Sequence, residues 1–172
     1  MTTFHEDIEC WDDLSKLVNK YFKCGWIWRG VKNARYGLRP GIGRNGARKD
    51  PKNGSDRTYN ETEERKLLDQ FQRESRAKFE WQPVLPLEWM ILAQHHRMPT
   101  RLLDWSESLL VAAFFAVDNA KPDACAAIYG TKPPQEIGIN TYPFSASLRE
   151  RPRLVRPPHI SPRITAQQSH RQ

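Results

Sequence analysis

The sequence predicts an α+β fold in a single domain: a central apolar helix, a small sheet, and a long proline-rich C-terminal wrap. Three observations carry this expectation. The chain has 172 residues, a length that suits one domain able to bury most of its apolar surface. Helical and strand periodicities alternate from Trp11 to Tyr129. After Gly130 the periodicity fails, and residues 133–163 contain seven prolines, which continue neither a helix nor a central strand. One domain over residues 1–172 is expected, closing in a basic tail over 149–172.

The elements follow in order. Trp11, Leu14, Leu17, Val18, Tyr21 and Phe22 recur at helical spacing and leave Asp12, Asp13, Lys16 and Lys20 outward. Gly25 ends that helix, and Trp26-Ile27-Trp28 reads as a strand with Arg29 at its end. Residues 30–58, rich in glycine, asparagine and aspartate, read as a long loop. Asn60 and Glu63 form a capping-box pattern for a helix that turns Leu67, Leu68, Phe71 and Phe79 inward and stops before Pro83. A third helix, Leu87–Arg97, aligns Leu87, Met90, Ile91 and Gln94, so an amide continues an apolar stripe. Pro99 ends it, Thr100–Trp105 forms a compact turn, and Ser106 caps a fourth helix over Glu107–Asp118. That helix is apolar nearly all round and is expected at the centre of the core. Cys125–Tyr129 reads as a short strand.

Composition excludes several classes. The chain holds 6 Trp, 5 Tyr and 7 Phe, which argues for a packed core over disorder. Its longest apolar run, Leu109–Val117, is far shorter than the roughly 20 residues of a membrane span. The N-terminus shows no basic region followed by an apolar stretch, so a cytoplasmic location is expected. Cys10, Cys24 and Cys125 match neither a metal-binding spacing nor a disulfide framework, and are expected as reduced, buried or half-buried thiols. The net charge is +7, and residues 149–172 carry Arg149, Arg151, Arg153, Arg156, Arg163 and Arg171 against Glu150 alone. Such a tail suits contact with the phosphates of nucleic acid or a nucleotide.

The densest polar constellation is Ala93–Trp105, which gathers Gln94, His95, His96, Arg97, Thr100, Arg101 and Asp104. Asp104 and Arg101 suit an ion pair that clamps the turn, with Arg101 also holding backbone carbonyls; alternatively Asp104 orients Arg29 or a histidine. Gln94 and His95 face inward, His96 and Arg97 outward. Adjacent histidines diverge on a helix, so no metal site is expected. No serine sits in a glycine-flanked elbow. Gly41-Ile42-Gly43-Arg44-Asn45-Gly46 is only loosely like a phosphate loop, lacking a following Lys-Ser or Lys-Thr.

Four strings of residues resemble the FRG domain family: Trp28-Arg29-Gly30; Tyr36-x-Leu38-x-Pro40; Ala93-Gln94-His95 with Pro99-Thr100-Arg101-Leu102-Leu103-Asp104-Trp105-Ser106; and Ala112-x-Phe114-Phe115-Ala116-Val117. Arg163-Ile164-x-x-Gln167 is similar to the family's closing segment. The chain departs from the pattern with Trp28 for Phe or Tyr, and with Arg97 where glycine is common. The family's layout continues with a short aromatic strand, whereas this sequence ends at His170-Arg171-Gln172, so residues 164–172 are expected to be poorly ordered. The resemblance implies an ADP-ribosyltransferase-like, NAD-binding domain of a phage-defence or toxin type, with NAD as substrate. It implies catalytic roles for Arg29, Gln94 and Gln167. Substrate contacts would come from Gly30, His95, Thr100, Arg101, Asp104 and Trp105. Arg29 suits a pyrophosphate, because its planar fork grips phosphate with two hydrogen bonds. The rival readings are a non-enzymatic nucleic-acid-binding module and a regulatory interaction module.

Overall fold

A computed structural model describes residues 6–44, 61–79, 82–121, 125–145 and 151–157. The order of elements is α1 (Trp11–Lys20), β1 (Ile27–Val31), α2 (Glu61–Ser75), α3 (Pro86–His95), α4 (Leu109–Val117) and β2 (Ala127–Thr131). Two 3-10 turns, Ala34–Tyr36 and Gly41–Gly43, interrupt the loop after β1. The architecture is α+β, as the periodicities imply. Asn60, half of the expected capping box, lies outside the described residues.

The sheet is one antiparallel pair, with Trp28 opposite Gly130, Arg29 opposite Tyr129 and Gly30 opposite Ile128. Arg29 is therefore the middle residue of β1 and not its end. Gly30 does not stop the strand; it makes room for a helix. A Cβ there would fall 1.9 Å from the Ala112 carbonyl oxygen and 2.6 Å from the Ala116 nitrogen, so α4 lies directly on the strand backbone. Gly130 does the same for Trp28, whose ring occupies the space a side chain would need. Alternation along β1 puts Trp28 and Gly30 toward α4, while Ile27, Arg29 and Val31 share the other face.

Two apolar clusters form the interior. Trp28, Leu109 and Ala112 are the buried centre of the first, with Leu14, Leu17, Val18, Tyr21, Trp26 and Ile128 packed around them. Trp26 and Trp28 stack at 5.6 Å, and Tyr21 meets Trp28 edge-on at 5.2 Å. Leu68, Trp89, Met90, Leu92, Ala93 and Phe144 form the second, where α2 meets α3. Phe71 joins it from α2, as its spacing implies, whereas Phe79 reaches it from beyond the helix, which ends at Ser75.

The fourth helix departs from expectation in two ways. It begins at Leu109 and is capped by Ser108, whose Oγ accepts the Val111 N–H at 3.4 Å. Ser106, expected as the cap, instead pairs its backbone with Trp28, accepting at 2.7 Å and donating at 2.8 Å. Glu107 sits ahead of the helix and accepts from Arg156 Nη1 at 2.6 Å. The helix is also not enclosed: Leu109, Ala112 and Ala116 are buried, but Phe114 is 59% and Val117 65% exposed. It presents its small residues to the sheet because only they allow the close approach over Gly30.

The remaining differences are local. Trp11 and Phe22, aligned with the apolar stripe of α1, are largely exposed. All three cysteines are exposed and free, not buried; the Cys10 thiol donates to Asp13 at 3.2 Å. Arg97 closes α3 with φ +67°, a left-handed conformation that glycine adopts more readily. The described part of the proline-rich stretch is irregular, joined by one parallel bridge between Glu136 and Leu154, and it drives Pro143 and Phe144 into the interior. Among the described residues, no helix is long and apolar enough to cross a membrane.

Candidate functional site

The turn between α3 and α4 is held on two sides, and the site forms where it meets β1. On one side stands Glu64 of α2, fully buried. Its carboxylate accepts from the Arg101 backbone N–H at 2.7 Å and from Arg101 Nε at 2.8 Å. Arg101 Nη1 donates to the Pro143 carbonyl at 2.9 Å, and the guanidinium lies 4.5 Å over the Phe144 ring. Arg101 is thus a clamp that ties α2, the turn and the 143–144 segment together. Its carboxylate is Glu64, 37 residues away, and not Asp104. The sequence reading missed Glu64, although a signal was present: Glu64, Leu68, Phe71 and Ser75 fall on one helical face, which makes Glu64 an acid on an apolar stripe.

On the other side the Ser106–Trp28 bridge holds the end of the turn along β1. Arg29 Nη1 there donates to the Asp104 backbone carbonyl at 2.6 Å. The Asp104 carboxylate accepts from Gln94 Nε2 at 2.5 Å. A carboxylate only accepts, so it fixes the Gln94 amide with nitrogen toward Asp104 and carbonyl toward Thr100. The buried Thr100 hydroxyl donates to that carbonyl and accepts the Leu102 N–H at 3.2 Å. The result is an ordered chain from the Leu102 amide through Thr100 and Gln94 to Asp104. Arg29 and Gln94 therefore both bond Asp104, one at its backbone carbonyl and the other at its carboxylate.

Arg29 itself is incompletely paired. Its Nε is buried with no hydrogen-bond partner. Desolvation pushes its guanidinium below the usual arginine range, opposed by the Asp104 charge and reinforced by that of Arg44. Arg44 comes near because the Gly41–Gly43 turn docks on the same structure, with the Ile42 N–H donating to the Thr100 carbonyl at 3.2 Å.

The other expected residues divide. Gly30 faces α4, so the close approach it permits is that of a helix. His95 is half-buried and meets His96 edge-on at 5.5 Å, and His96 is exposed beside Phe79 at 5.1 Å. Trp105 is half-buried next to Asp104. Gln167 lies outside the described residues, as do Arg149, Arg163 and Arg171 of the tail. Of the tail arginines that are described, Arg156 bonds Glu107 and Glu136, Arg153 bonds Gln135, and Arg151 is exposed. A groove of about 550 Å³ lined by Arg76, Gln82, Val84 and Trp89, among others, includes none of the site residues. Among the described residues no group of histidines, cysteines and carboxylates could hold a metal ion.

The FRG domain family model matches residues 25–125, which contain β1, α2, α3, the clamped turn and α4. No curated protein and no solved structure matches the chain.

Proposed function

The chain belongs to the FRG domain family, and we propose that its Arg29 site binds a nucleotide, with NAD as the substrate of an ADP-ribosyltransferase-like domain of the toxin or phage-defence type. One observation carries the proposal. The Arg29 guanidinium is desolvated, makes a single hydrogen bond to a neutral carbonyl, and keeps a buried Nε without a partner. The Asp104 charge offsets this burial only in part, and an under-neutralised cation in such a place lowers stability. A ligand phosphate would supply the missing negative charge, and its geometry matches the guanidinium fork. The nearby Arg44 adds a second positive charge for the same anion.

In this reading Arg29 grips the pyrophosphate, and the clamped turn presents Asp104 and Trp105 to the remainder of the dinucleotide. Calorimetric titration of the full chain with NAD, alongside an assay of nicotinamide release, tests it. Charge-assisted hydrogen bonds contribute about 1.5–3 kcal/mol each, so Arg29→Ala should weaken NAD binding by roughly ten- to a hundredfold. Arg29→Lys, which keeps charge but not the fork, should fall between the two. Equal NAD affinity in wild type and Arg29→Ala, or no binding to either, would overturn the reading.

A further inference from the structure

Asp104 stands beside Arg29 with its backbone carbonyl engaged by Arg29 Nη1 and its carboxylate by Gln94 Nε2. The side chain is exposed, and Gln94 occupies one of its two oxygens. The group behind it is over-determined. Gln94 has its carbonyl taken by Thr100, Thr100 is buried and takes the Leu102 N–H, and each bond has only one possible direction. A solvent-facing aspartate on a turn needs no such support for stability. An anion whose own backbone carbonyl is bonded by the arginine is also a poor neighbour for a ligand that is negative throughout.

We propose that Asp104 is a binding residue for ribose hydroxyls and Gln94 its positioning residue, so that the ligand class of the site is a phosphorylated ribose and not a bare phosphate or pyrophosphate. The proposal rests on the phosphate-binding role of Arg29. A carboxylate oxygen accepts hydrogen bonds from hydroxyls, and a ribose offers two adjacent ones within reach of its own phosphate. Arg29 and Asp104 then read two features of one ligand, the charge and the neighbouring diol. Gln94 does not touch the ligand; it orients the carboxylate, and Thr100 orients Gln94.

The division of labour is measurable with ADP-ribose and inorganic pyrophosphate as probes, titrated calorimetrically into the full chain. Asp104→Asn keeps the shape, and its side-chain carbonyl still accepts from Gln94, but the charge is removed. ADP-ribose affinity should fall about tenfold or more, the size of one charge-assisted hydrogen bond, while pyrophosphate affinity holds or rises as like-charge repulsion is relieved. Gln94→Leu should lower the ADP-ribose to pyrophosphate affinity ratio in the same direction, a change that a merely structural glutamine would not produce. Unchanged ADP-ribose affinity in Asp104→Asn sinks the assignment of Asp104 alone. Parallel loss of both probes overturns the division between the two residues. Failure of both probes to bind wild type overturns the Arg29 reading as well, whereas pyrophosphate binding without ADP-ribose binding sinks the ribose assignment and leaves the Arg29 reading standing.

Discussion

Arg101 and Arg29 reach the same turn from opposite sides, and the contrast between them separates what holds this domain together from what is left to act. Arg101 meets a fully buried carboxylate, donates to the Pro143 carbonyl and lies flat over Phe144. Arg29, on the strand, meets one neutral carbonyl and keeps a buried nitrogen unpaired. The surroundings differ in the same sense. Around Arg101 the large side chains of α2 and α3, including Trp89, Met90 and Leu92, are enclosed. Around Arg29 the sheet has two strands, and the helix laid on it buries only Leu109, Ala112 and Ala116. A saturated polar pair in a dense core is a device for holding geometry, whereas an unsaturated charge beside an exposed carboxylate is available to a ligand.

The largest effect expected from breaking this contrast is at Glu64. Glu64→Ala leaves the Arg101 guanidinium with the more distant Glu61 carboxylate at 4.0 Å in place of Glu64 at 2.8 Å, and removes the acceptor for the Arg101 backbone N–H. Loss of one partner from a buried pair typically costs about 3–5 kcal/mol, so urea denaturation should show a drop of that order. A drop below about 1 kcal/mol, the value of an exposed ion pair, would show that the pair is solvated and that Arg101 is no clamp.

Next comes Gly30→Ala. The added methyl carbon would sit 1.9 Å from a helix carbonyl oxygen, and backbone cannot step aside as a side chain can. Displacing α4 should cost about 1–3 kcal/mol or more, the usual range for overpacking. Because α4 and β1 shift together, Arg29 should lose its register with Asp104, and NAD affinity should fall with stability. Retained stability and binding would mean that α4 does not rest on Gly30.

The contrast also explains which parts were readable in the sequence. Helices α1, α2 and α3 came through because their apolar residues recur at helical spacing, although no residue of α1 is buried and α3 buries Trp89 and Leu92 as well as Leu87 and Met90. Arg101 and Asp104 looked like partners because they are three residues apart, but that spacing brings side chains together only on a helix. In the extended turn they diverge, and Arg101 meets Glu64 across 37 residues of sequence. Gly30 looked like a strand end or a ligand contact because the sequence does not show that a helix backbone lies over it. Ser106 looked like a cap because it precedes an apolar run, yet Ser108 lies closer to that run, and the Ser106 backbone was needed by Trp28. Gln94 was readable as an amide on an apolar stripe; its partners, Thr100 and Asp104, were both in the same string of residues, but which bonded to which depended on the fold.

Arg29→Met sharpens the comparison further, because here the two arginines should differ in sign or nearly so. Methionine keeps an apolar stem between Ile27 and Val31 while removing a desolvated, under-paired charge. Replacing such a charge by a hydrophobic of similar size is often neutral or stabilising, so stability should change by less than about 1 kcal/mol in either direction. Arg101→Met, which takes the guanidinium from the buried Glu64 carboxylate and leaves it the backbone N–H of residue 101, should fall by several times that amount. The same Arg29→Met protein should lose NAD binding. Thermal melts of the two variants side by side give the answer, and equal destabilisation would make both arginines structural.

The smallest effect is expected on the outer face of α4. Phe114 is 59% exposed and Val117 65% exposed, although both belong to a helix with no polar residue in its nine positions. Hydrophobic stabilisation scales with area withdrawn from water, and these side chains have withdrawn little. Phe114→Ser should therefore change stability by no more than about 0.5–1 kcal/mol, part of it from the weaker helix propensity of serine. Ala116→Val, two residues along on the buried face, adds only two methyl groups but should be worse, because Ala116 packs against the Gly30 backbone. The ranking is informative because it inverts what side-chain size alone would suggest: a large aromatic is dispensable and a small alanine is not. Denaturant midpoints for the two variants decide it. A loss above about 2 kcal/mol for Phe114→Ser would mean that this face is covered in solution, since only a buried aromatic loses that much on truncation.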